Sequence, residues 1–432
     1  MLDIKFVREN PEFVQQKSRE KGYDIDIAKV LELDERYRSI LGEVEKLRCE
    51  RNDLAFSLKN TKPSDDEIAK GKNIKAKLSE MEVFLKETEK DFFYIFKQVP
   101  NMPSEDVPVG KSEDENVIDK EVGEKPNFDF EPKNHWQIGE ARKWIDKERA
   151  TKVVGARFAY IKGDLVKLDW AIMRFAMDQL TDEEVLKKII SENNLNVSSK
   201  SFIPVLPPYM IKTEPYDAMD RLEPREERYK IEGEELWLQG SAEHVLGSMH
   251  ADEVFEESEM PVRYVGFATS FRREAGSYGK DTEGIIRMHQ FNKMEMESFS
   301  VAEKGIDEHL LMVAIQEYIL KQLQLPYRVV MKCTADIGKP NARGVDMDVW
   351  LPGQNKYRET HTADYMTDYQ ARRLNTRVRR KDGSFQLVYT NDATVLSQRP
   401  LIGIIENNQQ ADGTVKIPGV LRPYMGGKEF IA

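Results

Sequence analysis

FRREAGSYGKDTEGIIRMHQFNKMEM, residues 271–296, carries the densest chemistry in the chain. Its second half, from Gly284 to Met296, alternates. Read as a strand, it places Arg287, His289, Phe291, Lys293 and Glu295 on one face. Ile286, Met288, Met294 and Met296 fall on the other, interrupted by Gln290 and Asn292. Arg272 and Glu274, two apart, share a face in the same way. One side suits a core. The other offers cations for phosphate, a ring for stacking and a carboxylate for an amine. Any one of these charges fits a solvated strand laced with salt bridges. The stripe beside an Arg-x-Glu strand is the less ordinary feature.

Outward from this stretch the pattern stays mixed. A helix is expected at Leu165–Leu180, and strands and helices then alternate irregularly, with Pro204, Pro207 and Pro208 inside Phe202–Ile211. No GxGxxG and no GxxxxGK[ST] occurs, so neither a dinucleotide cradle nor a phosphate-binding P-loop is indicated. An antiparallel sheet with helices packed on it is the architecture expected. Upstream, Pro100, Pro103, Pro108 and Gly110 break all periodicity, and acidic, proline-bearing sequence reads as a linker to Pro132. The domain boundary is expected near residue 110, giving domains 1–110 and 111–432.

The first domain is helical. Residues 1 to about 26 read as a small entry helix and loop, with Pro11 near one helix start. Val30, Leu33, Tyr37, Ile40, Val44, Leu47, Leu54 and Leu58 then follow spacings of three and four, with Arg51 the one polar member. A break comes at Asn60-Thr61-Lys62-Pro63, and Ser64 with Glu67 forms a capping box that restarts a helix. Ile74, Leu78, Met81, Leu85, Thr88, Phe92, Ile95 and Val99 repeat the spacing. Two matched seams predict an antiparallel coiled-coil hairpin about 45 Å long. Lys70, Lys72, Lys75 and Lys77 cluster near its tip with no acid among residues 68–79. A stalk, a dimerisation coiled coil and a phosphate-approaching arm all fit this pattern.

Composition narrows the class. The chain has 432 residues, 33% of them charged, and a net charge of −11. That charge argues against general nucleic-acid affinity, so RNA contact must rest on a local patch. No apolar run is long enough for a membrane span. The N-terminus lacks a signal-peptide core. Cys49 and Cys333 match no metal spacing and read as free thiols of a reducing cytoplasm. His135, His244, His289 and His361 also match no ligand spacing, so no zinc is expected.

With these residues assembled, the chain resembles the seryl-tRNA synthetases, bacterial type, within the class II aminoacyl-tRNA synthetases. FRRE at 271–274 and the hairpin after it resemble motif 2. Matching segments run nearly the whole length: MLDIKFVRENPE at the start, VPNMP, HWQIG at 135–139, GARF at 155–158, YKIEGE at 229–234, GSAEH at 240–244, TDYQARR at 367–373, ENNQQADG at 406–413 and VLRPYMGG at 420–427. The resemblance implies an α+β protein, an N-terminal tRNA-binding hairpin followed by a class II catalytic domain on an antiparallel β-sheet flanked by helices.

It also implies roles. Arg272, Glu274 and Arg399 would be catalytic. Arg272 would bind the α-phosphate of ATP, Glu274 would accept from the adenine amino group, and Arg287 and Phe291 would complete the ATP site. Arg399 matches the motif 3 arginine. Glu359, Thr360, His361 and Thr362 fall in the ATP site, with Glu359 and Thr362 as ligands of Mg2+. Ser241, Ala242, Glu243, Glu295, Ala393 and Thr394 would form the serine site, and Lys70, Lys72, Lys75 and Lys77 would meet tRNA. The implied activity is ATP-dependent loading of L-serine onto tRNA(Ser), extending to tRNA(Sec), by a cytoplasmic homodimer with Pro208 at its interface. The competing classes are an amino acid:carrier-protein ligase and an inactive paralogue serving as an RNA-binding or scaffold protein. The carrier-protein ligases lack the long arm. Loss of Arg272, Glu274 or Arg399 would mark the inactive paralogue, and all three are present.

Three stretches depart from the family. Ser241-Ala242-Glu243 replaces Thr-x-Glu, and Glu359-Thr360-His361-Thr362 replaces Glu-x-Ser-Ser. Where the family often shows Asn-Gly-Ser-Gly, this chain has Asn391-Asp392-Ala393-Thr394. Ala393 thus stands where the hydroxyl facing the substrate is expected, with Thr394 one residue away. That departure leaves alanine or threonine open as misactivated substrates.

Overall fold

The computed structural model describes residues 1–59, 62–275 and 283–432. It divides into two compact units, Met1–Met102 and Pro103–Ala432.

The first unit opens with two short helices where one was expected, α1 (Ile4–Glu9) and α2 (Pro11–Glu20). Asp3 caps the first, and Pro11 fills the first turn of the second, where its missing N–H costs nothing. The hairpin follows as α3 (Ile27–Ser57) and α4 (Asp65–Phe96), of 31 and 32 residues. The Ser64–Glu67 capping box is present. Asn60 and Thr61, in the expected break, lie outside the described residues. Val30, Leu33, Val44, Ile74, Leu78 and Phe92 are buried as the seams require. Tyr37 stacks on Phe92 at 5.8 Å, and Arg48 meets Glu82 at 2.8 Å, which fixes the antiparallel register. Leu47, Leu54 and Leu58 are only half-buried, because two helices alone cannot enclose a seam. In the last turn Phe96 is buried in place of Ile95; the helix ends there, and Val99, just beyond it, is fully buried. Arg8 grips buried Asp34 with two bonds of 2.7 Å, tying α1 to α3.

The second unit is built on one eight-stranded sheet. Its strands are β1 (Val117–Val122), β2 (Ile203–Val205), β3 (Val262–Phe271), β4 (Gln290–Ser300), β5 (Tyr327–Met331), β6 (Arg343–Leu351), β7 (Lys356–Thr367) and β8 (Tyr389–Ser397). Their spatial order is β1-β5-β6-β7-β8-β4-β3-β2. All pairings are antiparallel except β2 with β3. Pro204 sits in the edge strand β2, the position a residue without an N–H tolerates. The expected linker to Pro132 is corrected at one point: β1 lies within it and pairs with β5. Its residues are exposed except Val122, and its apolar residues Val117, Ile118 and Val122 do not alternate, so no period of two marked the strand.

The two faces of the sheet differ. Met294 and Met296 of β4, Ala393 and Leu396 of β8, Ala363 of β7 and Val345, Met347 and Val349 of β6 join one large core. The helices α5 (Asp164–Thr181), α6 (Glu183–Glu192), α8 (Gly305–Gln322) and α9 (Gln398–Asn407) supply the rest of it, through Leu168, Leu186, Ile315 and Ile404 among others. Between α6 and α8 in sequence, the one-turn helix α7 (Glu243–Leu246) carries Glu243. The opposite face carries Lys293, Glu295, Glu297, Asp392, Thr394, Glu359, Thr362 and Asp364 (register from paired strands). The site stands on that polar face.

A buried ion pair anchors the two strands that lead into it. Arg263 of β3 donates to both oxygens of Glu308 on α8 at 2.7 and 2.6 Å, to Lys200 O at 2.6 Å, and Ser298 donates to Glu308 at 2.9 Å. Both charges are essentially inaccessible, at 0% and 2% of side-chain exposure. Removing one partner strands the other in a low-dielectric interior. Glu308→Ala is therefore expected to cost the second unit about 3–5 kcal/mol, read from its urea unfolding transition. A loss under about 1 kcal/mol would show that Arg263 finds another partner or water.

Candidate active site

The segment 271–296 is a strand only in part. β4 begins at Gln290, and Gly284 to His289 form turns. Phe291, Lys293 and Glu295 do share a face, but Arg287 and His289 arrive from the preceding loop. Residues 276–282, the middle of the quoted stretch, lie outside the described residues. Ile286 and Met288 reach the core all the same, so alternating burial in a turn imitated a strand. The loop has its own anchor. His135 is fully buried, and its Nδ1 meets Glu406 of α9 at 2.9 Å. With Nδ1–H donating to that carboxylate, Nε2 accepts from Ile285 N–H at 3.2 Å. Gly284 has a φ of +67°, and a Cβ there would lie 2.0 Å from His135 Nε2, so only glycine fits. His135 is thus a structural clamp on the cleft wall.

Arg272 and Glu274 do not share a strand face. β3 ends at Phe271, and Glu274 adopts a left-handed φ of +53°. That turn brings its Oε2 within 2.5 Å of Arg287 Nη1. Arg272 lies over the Phe291 ring, 5.4 Å from its centroid, and donates through Nε to Gly240 O at 3.0 Å. His289 donates through Nδ1 to Arg272 O, 2.9 Å away, behind this arrangement.

Across the cleft stand Glu359 and Thr362 of β7. They are three apart, which a regular strand would send to opposite faces. A bulge at Thr360 resolves this: Glu359 pairs with Asp348, Thr362 with Asp346, and His361 with Met347. Glu359, Thr360 and Thr362 line the cleft with Arg272, Phe291 and Arg399. His361 does not. It is buried on the core side, its Nδ1 2.8 Å from Thr360 Oγ1, and burial lowers it to about 4. Arg399, in the first turn of α9, donates to Glu359 O at 2.9 Å and reaches its carboxylate at 3.1 Å. Although its surroundings raise it, Arg399 and Lys332 hold the Glu359 carboxyl below its ordinary value.

One end of the cleft leads to a compact polar group. Ser241 donates to Glu243 at 2.6 Å and lies 2.9 Å from Glu295. Lys293 forms an ion pair with Glu295 and comes within 3.2 Å of Ser241 Oγ and 3.7 Å of Glu243. Burial and the neighbouring Glu243 charge raise the Glu295 carboxyl to about 7, against the pull of Lys293. Glu243 moves the opposite way. Despite burial, Lys293 and Arg221 hold it well below its ordinary value. Buried His244 is held neutral and accepts from Gly240 N–H at 3.2 Å.

Two expected members are absent from this group. Ala242 packs with Leu246, Phe255 and Ala268 in a separate apolar cluster. Ala393 faces the main core opposite Met296. A second bulge, at Val395, sets this register: Thr394 pairs with Glu295 and Ser397 with Lys293. Thr394 Oγ1 is 3.4 Å from Glu295. The hydroxyl that counting back from Arg399 put at Ala393 is therefore carried by Thr394. Sequence reading missed Lys293 as a member, as well as Arg221, Glu297, Asp364 and Asp392 beyond it. The alternation around Glu295 was the available signal for Lys293 and Glu297. Lys70, Lys72, Lys75 and Lys77 are all exposed on α4, flanking buried Ile74 and Leu78. Among the described residues, no group of three or more His, Cys, Asp or Glu side chains could hold a metal, and no helix is long and apolar enough to cross a membrane.

Comparison with known proteins gives the same outline. The seryl-tRNA synthetase N-terminal domain matches residues 1–103, and the class II tRNA synthetase core domain (G, H, P, S and T) matches 227–408. The chain is 39% identical over 438 residues to a serine–tRNA ligase of Syntrophotalea carbinolica and 38% identical over 445 residues to one of Methanospirillum hungatei, covering 100% of both chains in each case. Among solved structures, seryl-tRNA synthetase from Pyrococcus horikoshii complexed with ATP superposes with a TM-score of 0.88 at 36% identity, over 100% of this chain and 99% of that one. The cytoplasmic serine-tRNA ligase of Naegleria fowleri with AMP gives 0.83 at 29% identity, over 100% and 98%. The two matched domains, the full-length likeness and the shared fold mean that this chain belongs to the seryl-tRNA synthetase family.

Proposed function

We propose that the chain is a serine–tRNA ligase. The observation that carries this reading is the Ser241–Glu243–Glu295–Thr394 group beside the Arg272–Phe291 stack. It sets acceptors for an ammonium and a hydroxyl next to a cation and ring suited to an adenine nucleotide. The serine carboxylate is a nucleophile at neutral pH and needs position more than activation. With its ammonium on Glu295 and Ser241, its carboxylate oxygen attacks the α-phosphorus of ATP, and the bond to the bridging oxygen breaks to release pyrophosphate. Arg272 and Arg399, on opposite walls, offset the charge that develops. Phe291 stacks on adenine, and Glu274 and Arg287 exchange their mutual bond for contacts with the nucleotide. In the second step a hydroxyl of the tRNA 3′ end attacks the acyl carbon, and AMP leaves.

Glu359 and Thr362, brought to one face by the bulge, form an all-oxygen donor set, which fits Mg2+. The remaining ligands would come from phosphate. When bound there, Mg2+ offsets phosphate charge and fixes its geometry. The hairpin, with its four exposed lysines, is the tRNA(Ser) grip, and the same grip serves tRNA(Sec). A cytoplasmic homodimer completes the reading, supported by exposed Trp170, Ile203 and Leu206 near Pro208.

Three measurements test it. ATP–pyrophosphate exchange is expected with serine and not with alanine, because alanine leaves Thr394 and Glu295 without a hydroxyl partner. Comparable exchange with alanine would sink the serine assignment. Deleting about residues 30–99 should leave exchange within about threefold and abolish aminoacylation; equal loss of both would make the arm structural. Glu295 must be ionised to hold an ammonium, and its carboxyl lies near 7. Serine KM should therefore rise about tenfold from pH 8 to pH 6 while ATP KM stays within about twofold. A flat serine KM would remove Glu295 from that role.

A further inference from the structure

Beyond Glu295 the same sheet face continues into a charged floor that the reaction above does not use. Glu297 is two residues further along β4, and Asp392 faces it across the strand pair. Asp364 faces Asp392 from β7. Arg221 reaches over them, 3.1 Å from Asp392 and 3.9 Å from each of Asp364 and Glu243. The three carboxylates of the floor are buried, with Glu297 at 0% and Asp392 at 2% exposure, and Arg221 is partly exposed above them. Five carboxylates (Glu243, Glu295, Glu297, Asp364 and Asp392) thus share Arg221 and Lys293, with Lys332 beside Asp364 at the far edge. Among the described residues, both oxygens of Glu297 and one of Asp364 lack a hydrogen-bond partner.

A buried carboxylate without a partner is costly, and such groups call for a donor. Burial and the charges of Asp392 and Glu243 push the Glu297 carboxyl well up, and burial with Glu243 does the same to Asp392. A cation placed between them relieves that repulsion. The pose proposed above supplies the place: with the carboxylate toward Arg272 and the ammonium on Glu295, the side chain is left to extend along the same face, whose next residues are Glu297 and Asp392. Asp392 is also the residue that stands where the family often has glycine.

We propose that the amino-acid pocket accepts, besides serine, an amino acid whose side chain ends in an ammonium one methylene from Cα, recognised by Glu297, Asp392 and Asp364. L-2,3-Diaminopropionate, the amine isostere of serine, is the fitting member. Its hydroxyl-for-ammonium exchange turns one donor into three and adds the missing charge. The reacting bonds are unchanged: carboxylate oxygen to α-phosphorus forms, α-phosphorus to bridging oxygen breaks, and pyrophosphate leaves. This substrate class rests on the ligase reading.

The test is ATP–pyrophosphate exchange by the full chain with serine, diaminopropionate and alanine, together with calorimetric binding of each. Diaminopropionate is expected to support exchange within about tenfold of serine in kcat/KM, with alanine at least about a thousandfold lower. Glu297→Gln and Asp392→Asn, which keep shape and remove charge, should each lower the diaminopropionate-to-serine ratio at least about tenfold. Matched thermal melting would show that the variants fold. Exchange with serine while diaminopropionate neither reacts, binds nor competes at hundredfold excess overturns this proposal and leaves the ligase reading standing. Diaminopropionate exchange with a ratio unmoved by both variants overturns the assignment to this floor. Absence of exchange with all three amino acids overturns both readings.

Discussion

Everything at the site depends on one sheet whose two faces have opposite chemistry. The apolar face is buried by helices α5, α8 and α9, and this burial holds the strands in register. Because side chains alternate, the same register presents a fixed grid of charge on the other face. A one-residue slip of β4 would send Glu295 into the core and Met294 into the cleft. The catalytic geometry is therefore secured by hydrophobic packing on the far side, not by the weak forces among the polar groups themselves.

Regular alternation alone would not build this site. The bulges at Thr360 and Val395 each add one residue, and each turns the following stretch by half a period. The first puts Glu359 and Thr362 on one face and sends His361 behind it. The second puts Thr394 opposite Glu295 and gives the core Ala393. Gln316 of α8 donates to the carbonyls of both Thr362 and Thr394, at 2.7 and 2.8 Å, so one buried amide steadies both irregular strands. The departures Ala393 and His361, puzzling in one dimension, face the core side of strands whose other side is the site.

The hairpin's seams, its capping box, the helix at 164–181 and the antiparallel class were legible because each rests on local periodicity or local capping. The motif around Arg272, Phe291 and Glu295 was legible because charge and aromatic character recur on alternate residues. The bulges were not, since an extra residue in a strand leaves no compositional mark. The positive φ of Glu274 was equally silent, because no glycine or asparagine announced it. β1 escaped because an edge strand exposed along most of its length need not alternate apolar with polar residues, and VIDKEV does not. The clamp of His135 on Ile285 depends on Glu406, 271 residues away, and only the folded chain joins them.

Lys293 shows how the amino-acid site is balanced when no substrate is in it. Its ammonium rests on Glu295, within reach of Ser241 and Glu243, the groups assigned to the substrate ammonium. A pocket of buried carboxylates cannot stay fully ionised alone, because desolvation and mutual repulsion would protonate it. The lysine keeps Glu243 ionised and limits the rise of Glu295. A substrate ammonium arriving there gives Glu295 a cation partner of its own, and because that carboxyl lies near 7 it holds the ammonium only once its proton is gone. At Glu297 and Asp392 burial and mutual repulsion push both carboxyls well up, and Arg221, 3.1 Å from Asp392, does not offset them. That imbalance, within one strand, separates the part of the pocket whose charge is closed internally from the part that is left for a ligand to complete.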